Sequence, residues 1–447
     1  MNIINKQTVQ LFIVTIFFSM MTVPLFAQDN LNLSKAISIG LSNNFGIKIQ
    51  KIEEDIVQNQ LNNVYKRRIP KVDLFARQQN NSNNNSSPTS FVQGFYSDRG
   101  LDLGLDANWI IFEGFKARLD KSRLEKLNRQ SNGNTMLLVE NTIHAIMLAY
   151  YNTLIKKEAV AVQHEAGIRS KERFNDAKFQ FEKGKVSGYD LLRFENAMLI
   201  DSTNSIIQLK EFDIAMQTLN LAMGNKFYKV YQLTDKLDYQ KEDYQFSKLQ
   251  QKMISLNKEL QNQYLNLMLR RNDIGILKAN QYPKFAINSG LSQNFNSTKF
   301  QGIDRIKGGN FRFYLNFSVT YNLFDGGQIN RAIDEGRLKE KIADLEIDQV
   351  KQELSNVLKK AVTNYNMQLQ IIRINEKLIN NLKQNLILEK GRYKNGFSSL
   401  LEYRSLQQEN IDAEQTRLEA IYELLISETE ILKLTGSLLK YYPENKR

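Results

Sequence analysis

The chain is written twice. Phe112-Glu113-Gly114, Gly184, Ser187, Asp190 and Gly224 recur as Phe324-Asp325-Gly326, Gly396, Ser399, Glu402 and Gly436, each pair 212 residues apart (324−112, 396−184, 436−224). No insertion separates the copies over about 110 residues, although surface loops change length at little thermodynamic cost. Both copies must therefore span the same rigid length. The organisation read from this is a first repeat over 28–235, a second over 236–440 and a tail over 441–447.

Between Gly114 and Gly184, and again between Gly326 and Gly396, there is no proline, and Ala, Leu, Lys, Glu and Gln dominate. At 1.5 Å per residue each stretch predicts a helix of roughly 105 Å, which needs neighbours along its whole length. In the second copy Val350, Leu354, Val357 and Ala361 form one apolar row, and Leu358, Val362, Tyr365, Leu369 and Ile372 an adjacent one. Together they cover an arc of roughly 140°, wider than a two-stranded coiled-coil seam, so each helix touches a neighbour on both sides. Ala145, Ile146, Ala149 and Tyr150 repeat the pattern in the first copy. Shorter helical segments run over about Ser34 to Arg68, Tyr189 to Met223, Ser247 to Gln281 and Leu400 to Leu439. Laid end to end in pairs they match one long helix, so each repeat supplies one continuous and one broken column. The linker from Asn225 to Gln245 lies outside this wall, with Tyr228, Tyr231, Tyr239 and Tyr244 as packing anchors.

Pro70 and Pro283 each stop a helix and open an extended stretch. Leu101, Leu103, Leu105, Ala107, Trp109 and Ile111 then alternate with Asp102, Gly104, Asp106 and Asn108. Phe311, Phe313, Leu315, Phe317, Val319, Tyr321 and Leu323 alternate with polar residues in the same way. Such alternation marks strands between lipid and water, and Trp109 and Tyr321, again 212 apart, suit an aromatic girdle. Partner strands are expected over Lys71 to Gln78 and Lys284 to Gln293, with the Asn-rich run Asn80 to Pro88 and the stretch Asn294 to Asn310 as external loops.

Residues 1–27 read as a secretory signal, with Lys6 as the only charge, an apolar run from Leu11 to Phe18, and Ala27 before polar residues. No cysteine occurs, which excludes disulfides, thiolate metal ligands and a lipid-modified cysteine. The net charge of +12 is spread along helices, and export argues against a nucleic-acid partner. After residue 27 no apolar run is long enough for a transmembrane helix, so a membrane crossing would be a β-barrel. Four strands cannot close a barrel whose smallest known size is about eight, so oligomerisation follows, with two or three copies both open.

The chain by this point resembles the TolC-like outer-membrane efflux protein family, from about Leu31 to Leu439. The motifs are Leu31-Asn32-Leu33-Ser34-Lys35-Ala36 with Asn43-Asn44, Phe324-Asp325-Gly326-Gly327 at a strand-to-helix junction, the tip pattern Gly-x-x-Ser-x-x-acid, and Leu434-Thr435-Gly436. The resemblance implies an α+β membrane protein: a homotrimer whose 12-stranded transmembrane β-barrel continues into a 12-helix periplasmic α-barrel. It also implies an exit duct in the outer membrane that receives substrates from an inner-membrane pump, proton-driven or ATP-driven, through a periplasmic adaptor. No cofactor or metal enters. The same tunnel would serve type I protein secretion instead of small-molecule efflux, and a periplasmic coiled-coil adaptor or scaffold is the rival from another class.

The resemblance places the periplasmic gate at Asp190, Glu402, Tyr393 and Phe181, and adaptor docking at the tips Gly184, Ser187, Gly396 and Ser399. Gly114, Gly326 and Gly327 form the strand-helix junctions; the first copy reads Phe-Glu-Gly-Phe, so one glycine serves there. The family carries an arginine two residues after the second tip glycine, where this chain has Ser398. Lys183, Lys185, Arg193, Lys394 and Arg404 are the candidates to replace it. Asp190 and Glu402 could equally serve only to favour helix N-termini. His144 and His164, 20 residues apart on one helix, cannot share a metal, and no acid-base set clusters, so the chain is not expected to be an enzyme.

Overall fold

The computed structural model describes residues 29–441 apart from 92 and 396, so the expected signal segment and the tip glycine Gly396 lie outside the described residues. Strand β1 (Asp29–Leu31) leads into the short helices α1 (Leu33–Asn43) and α2 (Phe45–Asn62). The hairpin β2 (Lys71–Asn85) and β3 (Gly94–Glu113) follows, then α3 (Lys116–Glu182) and α4 (Gly188–Ala222). After β4 (Tyr231–Leu233) the order repeats: α5 (Phe246–Leu256), α6 (Lys258–Ala279), β5 (Lys284–Phe300), β6 (Ile306–Thr320), α7 (Gln328–Lys394) and α8 (Leu400–Leu434).

The constant register is visible in the helix lengths: α3 and α7 are both 67 residues, and α4 and α8 both 35. At 1.5 Å per residue the long helices run about 100 Å. Each broken column turns at an asparagine, Asn44 or Asn257, whose side chain accepts the backbone N–H of Ile47 or Leu260 at 3.0 Å. The upper ends of α4 and α8 meet those breaks. Asn43 donates to the Met223 carbonyl and Asn257 to the Leu434 carbonyl, both at 3.2 Å. Near the sheet α2 packs on α3, α3 on α6 and α6 on α7; towards the far end α4 packs on α3, α3 on α8 and α8 on α7. The helices thus form a wall of four columns, broken and continuous in turn. The apolar rows are its seams: Leu358, Tyr365 and Ile372 are fully buried, and so are Ile146 and Tyr150.

The linker is built into the wall. β4 pairs in parallel with β1, which buries Leu31 and Leu233. Asp235 accepts the Tyr150 hydroxyl and the Leu33 backbone N–H, both at 2.8 Å. Tyr244 meets Tyr365 edge-on at 4.8 Å, and Tyr231 is buried.

The four long strands form one antiparallel sheet in the order β2-β3-β5-β6. Its apolar face is uncovered: Leu74, Phe313, Leu315 and Phe317 are each at least 66% exposed. No helix among the described residues is long and apolar enough to cross a membrane. The other face of the sheet is polar, and there Tyr314 donates to Asp106 at 2.6 Å across Gly290, where a Cβ would collide with both side chains. The strands outrun the sequence expectation. The Asn-rich run forms ladder pairs from Asn80↔Arg99 to Asn85↔Gly94, and β5 and β6 pair from Lys284↔Thr320 to Thr298↔Ile306. Ladder hydrogen bonds satisfy the backbone whatever the side chains, so beyond the apolar band the ribbon continues with polar residues on both faces.

Each strand-to-helix junction takes two consecutive left-handed residues, Gly326 (φ 65°) and Gly327 (φ 79°) in the second repeat, Gly114 (φ 57°) and Phe115 (φ 64°) in the first. One glycine serves the first junction only because Phe115 takes up the strain, and its ring packs edge-on against Phe112 at 5.1 Å and Tyr282 at 5.9 Å. A Cβ on Gly114 would lie 2.1 Å from the Ala279 carbonyl oxygen, whereas one on Gly326 meets nothing within 4 Å. Gly326→Ala should therefore cost only the backbone term, about 1–2 kcal/mol, measured by denaturant unfolding.

A candidate gate at the helix tips

Both hairpins reverse in the same way. At the end of α3 the Lys185 N–H bonds the Gln180 carbonyl and the Gly184 N–H the Phe181 carbonyl, both at 2.9 Å, with Gly184 at φ 69°. This six-to-one, five-to-two pattern closes a helix on a left-handed glycine. The Phe397 N–H bonds the Arg392 carbonyl at 2.9 Å in the equivalent place. Serine then starts the returning helix. The Ser187 hydroxyl accepts the Asp190 N–H at 3.1 Å and donates to the Asp190 carboxylate at 2.7 Å. Ser399 and Glu402 form the full reciprocal box, with the Ser399 N–H bonding the Glu402 carboxylate at 2.8 Å. That N–H holds the Glu402 carboxyl below its usual range. The geometry thus gives Asp190 and Glu402 a capping role.

A second layer lies farther along the hairpins. Arg404 on α8 reaches past α3 to α4 and donates from both guanidinium nitrogens to Asp201, at 2.6 and 2.5 Å. Asp201 is 1% exposed. Arg173 on α3 hydrogen-bonds Gln407 and stands 5.3 Å over the Tyr403 ring. Tyr403 stacks on Tyr393 at 6.1 Å with the planes 13° apart. Burial, then the nearby Asp190 charge, raise the Tyr393 phenol above its usual range, and burial lowers the Arg173 guanidinium. Beside this knot runs a groove of about 580 Å³ lined by Arg169, Arg173, Lys383, Lys390, Arg404 and Arg417 with Glu158, Glu165 and Glu414.

Of the cations that could replace the family arginine, the structure engages Arg404. Lys183 sits over Phe179 and Arg193 over Tyr189, each within its own hairpin, and the Lys394 side chain is outside the described residues. Tyr393 joins the knot, whereas Phe181 is 43% exposed against Gly188. Asp201, Arg173, Tyr403 and Gln407 escaped the sequence reading. The 212-residue register holds a signal for the first, because Asp201 falls on buried Ala413, so a carboxylate stands where the other repeat has a methyl group. At the opposite end Trp109 lies on the apolar face and donates its indole N–H to the Arg68 carbonyl at 2.6 Å, and Tyr321 is exposed just beyond β6.

A bare-faced sheet prolonged by a four-column helical wall is a fold shared with solved outer-membrane channels. The family model described as outer membrane efflux protein matches residues 249–437. The CmeC outer membrane channel of Campylobacter jejuni is 16% identical, with a TM-score of 0.75 over 91% of this chain and 85% of that one. The MtrE outer membrane channel of Neisseria gonorrhoeae in its open state is 16% identical, with a TM-score of 0.71 over 91% and 89%. The outer membrane protein VceC of Vibrio cholerae is 12% identical, with a TM-score of 0.68 over 90% and 96%. Sequence comparison with curated proteins returns no match. The family match covers less than half of this chain, and the solved channels, at 12–16% identity, share its fold.

Proposed function

We propose that three copies close a 12-stranded barrel (3 × 4 strands) over a 12-column helical tunnel (3 × 4), forming the exit duct of a tripartite export system. The observation that carries this is the pair of free edges. β2 and β6 lack a partner strand among the described residues and run in opposite directions, so β2 of one copy can continue the antiparallel ladder of β6 in the next. The wall ends on the same two sides. Leu199, Ile206 and Leu221 on α4, and Ile374, Ile387 and Leu388 on α7, are each more than half exposed in one copy. Helix-to-helix packing between copies would cover them.

In this reading the tips carrying Gly184, Ser187, Gly396 and Ser399 receive a periplasmic adaptor, and substrates arrive from an inner-membrane pump. Tyr393, Phe181, Asp190 and Glu402 surround the mouth, and the bond between Arg404 and Asp201 ties the second hairpin to the first as its latch. The test is photocrosslinking in exporting cells from Ser187 or Ser399, with mass spectrometry of the captured proteins. An adaptor with a proton-driven exporter identifies small-molecule efflux, and an adaptor with an ATP-driven transporter identifies type I secretion. Capture of no periplasmic partner would overturn the docking assignment.

A further inference from the structure

The two repeats part company where helix gives way to strand. Pro70 and Pro283 are equivalent, 213 residues apart (283−70); before them stand Tyr65-Lys66-Arg67-Arg68-Ile69 in the first repeat and Lys278-Ala279-Asn280-Gln281-Tyr282 in the second. Only the first is polybasic. It forms a short 3-10 turn, Val64–Arg68, and the Trp109 indole bond to the Arg68 carbonyl fixes that turn at the edge of the apolar band. Tyr65 lies between two cations, with the Arg68 guanidinium 5.5 Å and the Lys121 ammonium 5.0 Å from its ring centre. Lys121 shares Glu125 at 3.5 Å, but among the described residues neither Lys66 nor Arg68 has a carboxylate partner. Ile69, which follows the turn, is more than half exposed, as are Phe115 and Tyr282, which pack on each other at 5.9 Å.

We infer that this turn, Tyr65 to Arg68 with Lys121, is a docking surface for the phosphate of an anionic phospholipid in the periplasmic leaflet, one in each protomer. The surface offers cations for the headgroup and, one residue nearer the band, hydrocarbon for the acyl chains. A free anion would use only the first, which is why a lipid is the occupant. Aromatic rings at headgroup depth with lysine and arginine beside them are the ordinary chemistry of this interface, where each basic side chain is worth roughly fivefold in affinity for an anionic surface. The inference rests on the reading that the bare sheet face meets lipid.

The test uses the full-length assembled protein and native mass spectrometry of retained lipid, with phosphatidylglycerol, phosphatidylcholine and inorganic phosphate as probes. Wild type should retain phosphatidylglycerol over phosphatidylcholine. Lys66→Gln with Arg68→Gln, which keeps the Arg68 carbonyl bonded to Trp109, should weaken that retention roughly 25-fold at two charges. Lys278→Gln, at the position equivalent to Tyr65, should leave it unchanged. Equal retention by wild type and the double variant would overturn the inference, as would displacement of the lipid by millimolar inorganic phosphate. Heat-modifiable insertion into vesicles, scored in parallel for every variant, keeps the premise separate. Failure of wild type to insert sinks the membrane reading, and insertion without lipid preference sinks the docking surface alone.

Discussion

Arg404→Ala should raise single-channel conductance in planar bilayers several-fold and destabilise the hairpins by about 3–5 kcal/mol, the usual cost of leaving one member of a buried ion pair behind. Asp201 would then be a carboxylate at 1% exposure without its two-pronged guanidinium partner. The two effects can be separated through the repeat. Position 201 corresponds to Ala413 and position 404 to Leu192, so Asp201→Ala with Arg404→Leu installs the apolar residues that stand at the two equivalent positions. Replacing a whole buried pair by apolar side chains is close to neutral for stability. That double variant should fold normally and still conduct more. Asp190→Ala or Glu402→Ala leaves the capping serine in place and removes only its acidic partner, worth about 0.3–1 kcal/mol each at a helix N-terminus, and should move conductance little. Wild-type conductance in Arg404→Ala would remove the latch assignment, and a large rise in the cap variants would return the gate to the tips.

The contrast between these sites explains what could be read in advance. A Ser-x-x-acid cap involves residues three apart on one segment, so both tips were legible from their local signature. The four helical columns were legible because a 67-residue helix carries its apolar seam through many turns, and the duplicated spacing fixed both ends. The bond between Asp201 and Arg404 joins residues 203 apart on helices whose polar positions are mostly solvent-facing, and nothing local separates it from a surface charge. The pairing of Leu31 with Leu233 was hidden for a related reason, since three-residue strands are too short to show a period. The Asn-rich ribbon misled because side-chain alternation reports a lipid-facing side. Once the strand leaves the apolar band that reason for alternation ends, while the backbone ladder goes on.

Stability should fall as pH rises from about 4.5 to 7, and Glu140→Gln should abolish much of that fall. Glu140 lies on α3 where α6 and α8 meet it; it is 2% exposed, and its Oε1 has no hydrogen-bond partner among the described residues. Burial pushes its carboxyl up to about 7, while Lys258 on α6 and Lys433 on α8 hold it from rising further. One turn along α3, His144 approaches Glu430 of α8 at 2.9 Å, and that bond holds Glu430 below its usual range. The sign follows from proton counting: between the ordinary glutamate value of 4.5 and about 7 the folded state keeps a proton that the unfolded chain has released. Stability from the neutral acid is complete below the lower value and lost through the upper one. A shift from 4.5 to about 7 corresponds to roughly 3 kcal/mol at 1.36 kcal/mol per unit. Urea unfolding at pH 5 and pH 8 should show wild type losing about that much relative to Glu140→Gln, with the two closest at the acid end. Because the comparison is between variants, the titration of other groups cancels to first order. Parallel pH profiles for the two proteins would mean that Glu140 reaches water or a lysine partner in solution, and that the junction of the two repeats holds no buried acid.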